Sequence, residues 1–143
     1  MAMAWGYRPK DYGPRRTRAI LDQYGADEKI AAIVDATRND GAAAGWHALL
    51  NTHRIAGLNM SFGTKLLYFA GYTTDHRPRP LILDERVRAS LNRSDVAPGT
   101  LPPMGRRVQE DDYVRYLELA EAWAAEQDWN QVPDVVEFAL FMG

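Results

Sequence analysis

A chain of 143 residues with 46% hydrophobic and 25% charged side chains has the size and make-up of one ordinary globular domain. It contains no cysteine, which excludes disulfides, thiolate nucleophiles, Cys-ligated zinc and iron–sulfur clusters. A net charge of −2 with a pI near 5.9 argues against strong non-specific DNA binding. Met1–Arg8 lacks the apolar run of a signal peptide and no 18-residue apolar stretch occurs, so the expectation is a cytoplasmic protein with no membrane association.

In chain order, residues 1–13 hold Trp5, Tyr7, Pro9, Tyr12 and two glycines, and read as an extended aromatic arm. Pro14 suits the first position of a helix to Tyr24, closed by Gly25. Asp27 is the expected cap of a helix carrying Ile30, Ile33 and Val34 to about Arg38. Asp40 is the expected cap of the next, which carries Trp46, Leu49 and Leu50. A mostly apolar helix is then expected from Ser61, whose hydroxyl would cap it, through Ala70. A loop over 71–80 with two prolines leads into Leu81-Ile82-Leu83-Asp84 and a helix over 85–92. That helix is read with Val87, Ala89 and Leu91 inward and Arg86, Arg88 and Arg93 outward. Residues 94–107, with three prolines and two glycines, form the longest irregular connection. A helix over 109–127 places Tyr113, Tyr116, Leu117, Ala120, Trp123 and Ala124 on one face, and a last helix follows Pro133. The expectation is a single all-α domain over 1–143 with six to seven helices.

Charge is uneven along this plan. Residues 76–107 carry seven basic and three acidic side chains, and residues 109–143 carry one and nine. A basic middle suits an anionic ligand, while the plainer reading is a set of solvated helix faces. Glu110-Asp111-Asp112 complements a helix dipole. His47, His53 and His76 lack metal-ligand spacing, His47 and His53 read as partly buried, and neither a metal nor a cofactor is expected.

Two residues carry possible chemistry. Lysine is scarce, three against fourteen arginines, and Lys65 is expected in the first turn of a largely buried helix. Burial and the positive helix end both lower an amine's pKa, and only a neutral amine is a nucleophile. The alternative is a lysine covering the core rim with its methylenes. Asp84 is a natural cap for the helix after it, and a carboxylate there can also face a ligand.

Gly63-Thr64-Lys65, an apolar helix and then an aliphatic-Asp pair nineteen residues after the lysine resemble the helix-hairpin-helix DNA glycosylases, most of all the 8-oxoguanine DNA glycosylase type. The resemblance covers about residues 40–92 and 132–142, with a helix-hairpin-helix-like segment at 45–92. It implies Lys65 as a Schiff-base nucleophile on the sugar of a flipped nucleotide and Asp84 as the carboxylate assisting base departure. It also implies Glu137 and Phe141 as reader and stacking face for the extruded base, with Ser61, Gly63, Arg86 and Arg88 toward the DNA backbone. The sequence departs from the family at the hairpin, where Met60 and Ser61 stand for Pro and Gly, and at Glu137, which stands for Gln. Against an enzyme stand two other readings: a nucleic-acid-binding module that keeps the fold without the chemistry, and a protein-interaction module using the acidic C-terminal helices.

Overall fold

The computed structural model describes residues 18, 22, 23, 25–126 and 133–142, without the side chains of 134, 135 and 138. The expected aromatic arm and, apart from Arg18, Asp22 and Gln23, the helix from Pro14 lie outside the described residues, as do the side chains of Val135 and Phe138. The described residues form six α-helices and no strand, in agreement with the all-α expectation. They are α1 (Ala26–Asp40), α2 (Ala42–His47), α3 (Met60–Gly71), α4 (Glu85–Leu91), α5 (Glu110–Glu126) and α6 (Pro133–Met142). None is long and apolar enough to cross a membrane.

The first two helices start differently from expectation. Gly25, at φ 75°, precedes α1, and Asp27 sits inside its first turn, where a carboxylate still complements the dipole. Asp40 is the last residue of α1, and Gly41 at φ 99° makes the break before α2. A positive φ is cheap only for glycine, so Gly41, and not the aspartate, marks the boundary. No side chain caps α2, which continues into a π-helical turn over Ala48–Thr52.

Trp46 and Leu49 from this stretch are buried, and Trp46 stacks on Tyr113 of α5 with ring centroids 4.5 Å apart. Burying rings of this size supplies much of the apolar stabilisation, about 2 kcal/mol or more each. Residues 53–59 then turn the chain back. Gly57 has φ 86°, and the Gln23 amide clasps Ala56, donating to its carbonyl at 2.6 Å and accepting its N–H at 3.2 Å. The result is a helix–turn–helix within the stretch where the sequence suggests a hairpin-like element, residues 45–92.

The cap of α3 is Asn59, whose side chain accepts from the Phe62 N–H at 3.2 Å. Asn59 and Ser61 are both cap-competent and lie within one turn, so sequence alone leaves the start open by two residues. Gly63 is consequently inside the helix, and a Cβ there would collide with the Leu49 side chain. It is a close-packing glycine between α3 and the π-helical turn.

Segment 81–83 is extended and buried without belonging to a sheet, so its peptide groups need other partners. Side-chain hydroxyls provide them. The Tyr113 hydroxyl accepts from Leu81 N–H at 3.2 Å and donates to its carbonyl at 2.7 Å. Tyr116 donates to the Ile82 carbonyl at 3.0 Å, and Thr64 Oγ1 accepts from Leu83 N–H at 2.8 Å. Complete burial drives both tyrosine pKa values far upward, so both hydroxyls keep their protons. The aromatic stripe of α5 is core packing, as its spacing predicts, and it also solders the extended segment in place.

Candidate functional site

Lys65 and Asp84 stand on two elements that Thr64 joins. Thr64 is fully buried one residue before the lysine, and its hydroxyl holds Leu83, one residue before the aspartate. The same hydroxyl lies 2.8 Å from the Met60 carbonyl and 3.2 Å from that of Leu83. One small side chain thus sets the register between α3 and the extended segment. Nothing in the residue type alone singles out Thr64; its one signal in the sequence is its place in the Gly63-Thr64-Lys65 triplet.

Lys65 is only 7% exposed. Burial lowers its pKa from the ordinary 10.5, and the negative charges of Asp84 and Glu137 oppose that shift without cancelling it. The structure therefore brings Lys65, Asp84 and Glu137 into one electrostatic neighbourhood. The Lys65 amine also lies 5.7 Å from the centre of the Phe62 ring. Asp84 caps α4 as expected, with Oδ1 accepting from Val87 N–H at 2.9 Å. That bond occupies one carboxylate oxygen, so the cap fixes the side chain while leaving its charge beside the lysine.

Glu137 and Phe141 are one turn apart on α6, and both are half-buried. The helix is tied to α4 by Ser90, which donates to the Leu140 carbonyl at 2.6 Å. Across this contact the Arg86 guanidinium rests on the Phe141 ring, 4.6 Å from its centre. Arg86, expected outward toward a DNA backbone, is exposed and lies against the aromatic face expected to receive a base.

Four expectations are corrected here. Arg88 does not point outward: it is 4% exposed, and its guanidinium donates to the carbonyls of Pro102 at 3.0 Å, Pro103 at 2.5 Å and Arg106 at 2.6 Å. The reading of Val87, Ala89 and Leu91 as inward follows a two-residue alternation that belongs to strands. On a helix, Arg88 shares the inner face with Val87 and Leu91, and Ala89 is exposed. Gly63 donates its N–H to the Asn59 carbonyl at 2.7 Å inside a packed helix, so that N–H does not face a phosphate. Ser61 is half-buried in the first turn of α3 and is not its cap.

Of the histidines, His47 is exposed, 3.5 Å from Glu110, and only His53 of the first two is partly buried. Among the described residues no three His, Asp or Glu side chains cluster as a metal site would require. On the acidic helix, Glu121 accepts from the Arg79 N–H at 3.2 Å and so serves the loop before the extended segment.

Fold and site together define a class: an all-α protein in which a helix after a hairpin turn carries a buried lysine, matched to the aspartate that caps the next helix. Over residues 1–141 the chain matches the family described as "Putative 8-oxoguanine DNA glycosylase OGG-like protein", and it belongs to that family. No curated protein and no solved structure matches it.

Proposed function

We propose that this protein is a DNA glycosylase with AP lyase activity that removes an oxidised purine such as 8-oxoguanine through a Schiff base on Lys65. The supporting observation is the buried Lys65 amine, its pKa lowered by desolvation, registered against Asp84 by Thr64. Membership of the OGG-like family supports the same reading.

In this mechanism the target nucleotide leaves the stack, because its sugar and base are unreachable within a duplex. The neutral Lys65 amine attacks C1′ of the sugar. The N–C1′ bond forms as the C1′–N9 bond breaks, the bonding pair leaves with the base, and the ammonium proton passes to it. The nitrogen lone pair then expels the ring oxygen, which takes up a proton, and a Schiff base joins Lys65 to C1′. Asp84 stabilises the positive charge that builds on the sugar as the base departs. Phe141 offers the base a stacking face once the Arg86 guanidinium that rests on its ring swings out toward a phosphate. Glu137, a pure acceptor when ionised, suits a base edge that presents N–H donors, as the N1–H and N2–H groups of a guanine-type purine do. Ser61 and Arg86 remain the proposed phosphate contacts, since the donors of Gly63 and Arg88 are engaged within the protein.

The test is borohydride trapping on duplexes carrying 8-oxoguanine, uracil or an abasic site. Wild type is expected to give a covalent adduct that Lys65→Gln abolishes, a loss of at least about 10³-fold by analogy with removal of other nucleophiles. Asp84→Asn, which retains a competent cap, is expected to lower the yield without unfolding the protein. A folded protein that gives no adduct on any of the three duplexes would overturn the reading.

A further inference from the structure

A second feature lies apart from the lysine. A cleft of about 400 Å³ opens between the hairpin turn and the loop that precedes α5, and neither Lys65, Glu137 nor Phe141 lines it. Trp46 and Leu58 contribute to an apolar floor, and Arg54, Arg106 and Arg107 stand on its walls. The chain as a whole is net negative at −2, so this gathering of guanidinium groups does not follow from bulk charge.

The arginines are presented on fixed backbone. Arg106 and Arg107 belong to the loop that buried Arg88 anchors through three carbonyls, and Asn92 adds a hydrogen bond to the Pro102 carbonyl at 3.1 Å. Val108, immediately after them, is buried. On the facing wall, Arg54 precedes buried Ile55 and the Ala56 peptide held by Gln23. Glu85 also lines the cleft, and its charge partner is Arg88 at 3.9 Å. Among the described residues no carboxylate pairs with Arg54, Arg106 or Arg107. Three exposed arginine residues thus line one concavity beside Asn59 and Met60, where α3 begins. Forked N–H donors of this kind match the oxygens of a phosphate.

We propose that this cleft is an oxyanion site that holds a backbone phosphate of the DNA strand passing the hairpin turn. It rests on the reading that DNA is the partner, not on the chemistry of Lys65. Arg88, itself unavailable to DNA, acts by holding the loop that carries Arg106 and Arg107.

The experiment is a salt titration of binding to a plain, undamaged duplex, followed by fluorescence anisotropy. Wild type is compared with Arg106→Ser/Arg107→Ser, whose backbone contacts to Arg88 are unchanged. The charge-matched control is Arg77→Ser/Arg93→Ser, two exposed arginines outside the cleft. Each phosphate contact contributes about 0.9 to the slope of log K against log salt, so the cleft variant, which loses one phosphate contact, is expected to lose about one from the slope. Its affinity in 50 mM KCl should fall about tenfold. The control should keep the wild-type slope. Equal behaviour of the two variants, or no duplex binding by wild type, would overturn the site. So would binding of inorganic phosphate that Arg106→Ser/Arg107→Ser abolishes while the duplex slope stays unchanged, which would make it a free-phosphate pocket. Because the duplex is undamaged, loss of the adduct chemistry would leave the cleft standing, and an adduct with an unaltered slope would remove only the cleft.

Discussion

Two buried cations, Lys65 in α3 and Arg88 in α4, show how differently one protein can treat a charge taken out of water. Arg88 is surrounded by carbonyl oxygens from a single loop, and its guanidinium bonds three of them. Its charge is permanent, and its desolvation is offset by hydrogen bonds. Lys65 is packed against an apolar helix with two carboxylates in its field, and burial still prevails over them. The first arrangement fixes a loop; the second moves an amine toward its neutral form. Burial alone therefore says little about function, and what the charge faces decides it.

The comparison is sharpest at Arg88. Replacing it with methionine strands three carbonyl partners and frees the 101–106 loop, an expected cost of about 3 kcal/mol in urea unfolding. Arg86→Ala, two residues away on the exposed side, should cost less than about 1 kcal/mol, the scale of a surface cation–π contact. Near-equal costs would dissolve the distinction between the two arginines.

Thr64 tests the link on the lysine side. Thr64→Val keeps the shape and removes the hydroxyl, leaving Leu83 N–H without its partner, and should destabilise by about 2 kcal/mol. Thr64→Ser should restore most of that stability and, on the proposed chemistry, the adduct rate as well. A valine variant with wild-type stability and rate would mean that Thr64 does not set the register between Lys65 and Asp84.

The smallest effect concerns pH. Only the neutral amine attacks, so adduct formation should rise with pH through a midpoint below the ordinary lysine value of 10.5, because burial lowers the pKa of Lys65. Glu137 opposes that lowering, so Glu137→Gln should move the midpoint to still lower pH. A midpoint that stays put or moves upward in a pH–rate series would contradict the electrostatic account.

The lysine–aspartate pair was legible in the sequence because Asp84 is a cap and Lys65 stands in an apolar run at a fixed spacing from it. The expected first-turn place of Lys65 is not met, since α3 starts at Met60 and puts the lysine in its second turn. Asp84 as a cap followed from local chemistry alone. Arg88 was not legible as a buried residue, since a helix of seven residues is too short for its period to outweigh the habit of placing arginines outside. Thr64 was hidden for another reason: its partner is nineteen residues away, on a segment whose lack of strand neighbours no local pattern reveals. The cleft arginines were missed because they come from two stretches about fifty residues apart, and a bulk pI near 5.9 averages such local clusters away.

The hydroxyl-bonded segment at 81–83 has a bearing on how the molecule can be divided. Lys65, Thr64 and Asp84 all fall inside the hairpin-containing stretch, which on paper looks like a portable unit. Yet the Leu81 and Ile82 peptides rely on Tyr113 and Tyr116, about thirty residues further along the chain. Until α5 docks, those buried peptide groups have no partners and the segment has no reason to stay extended against α3. The register of the aspartate with the lysine thus depends on α5 as well as on Thr64, and excising the hairpin would transplant the residues without their full support.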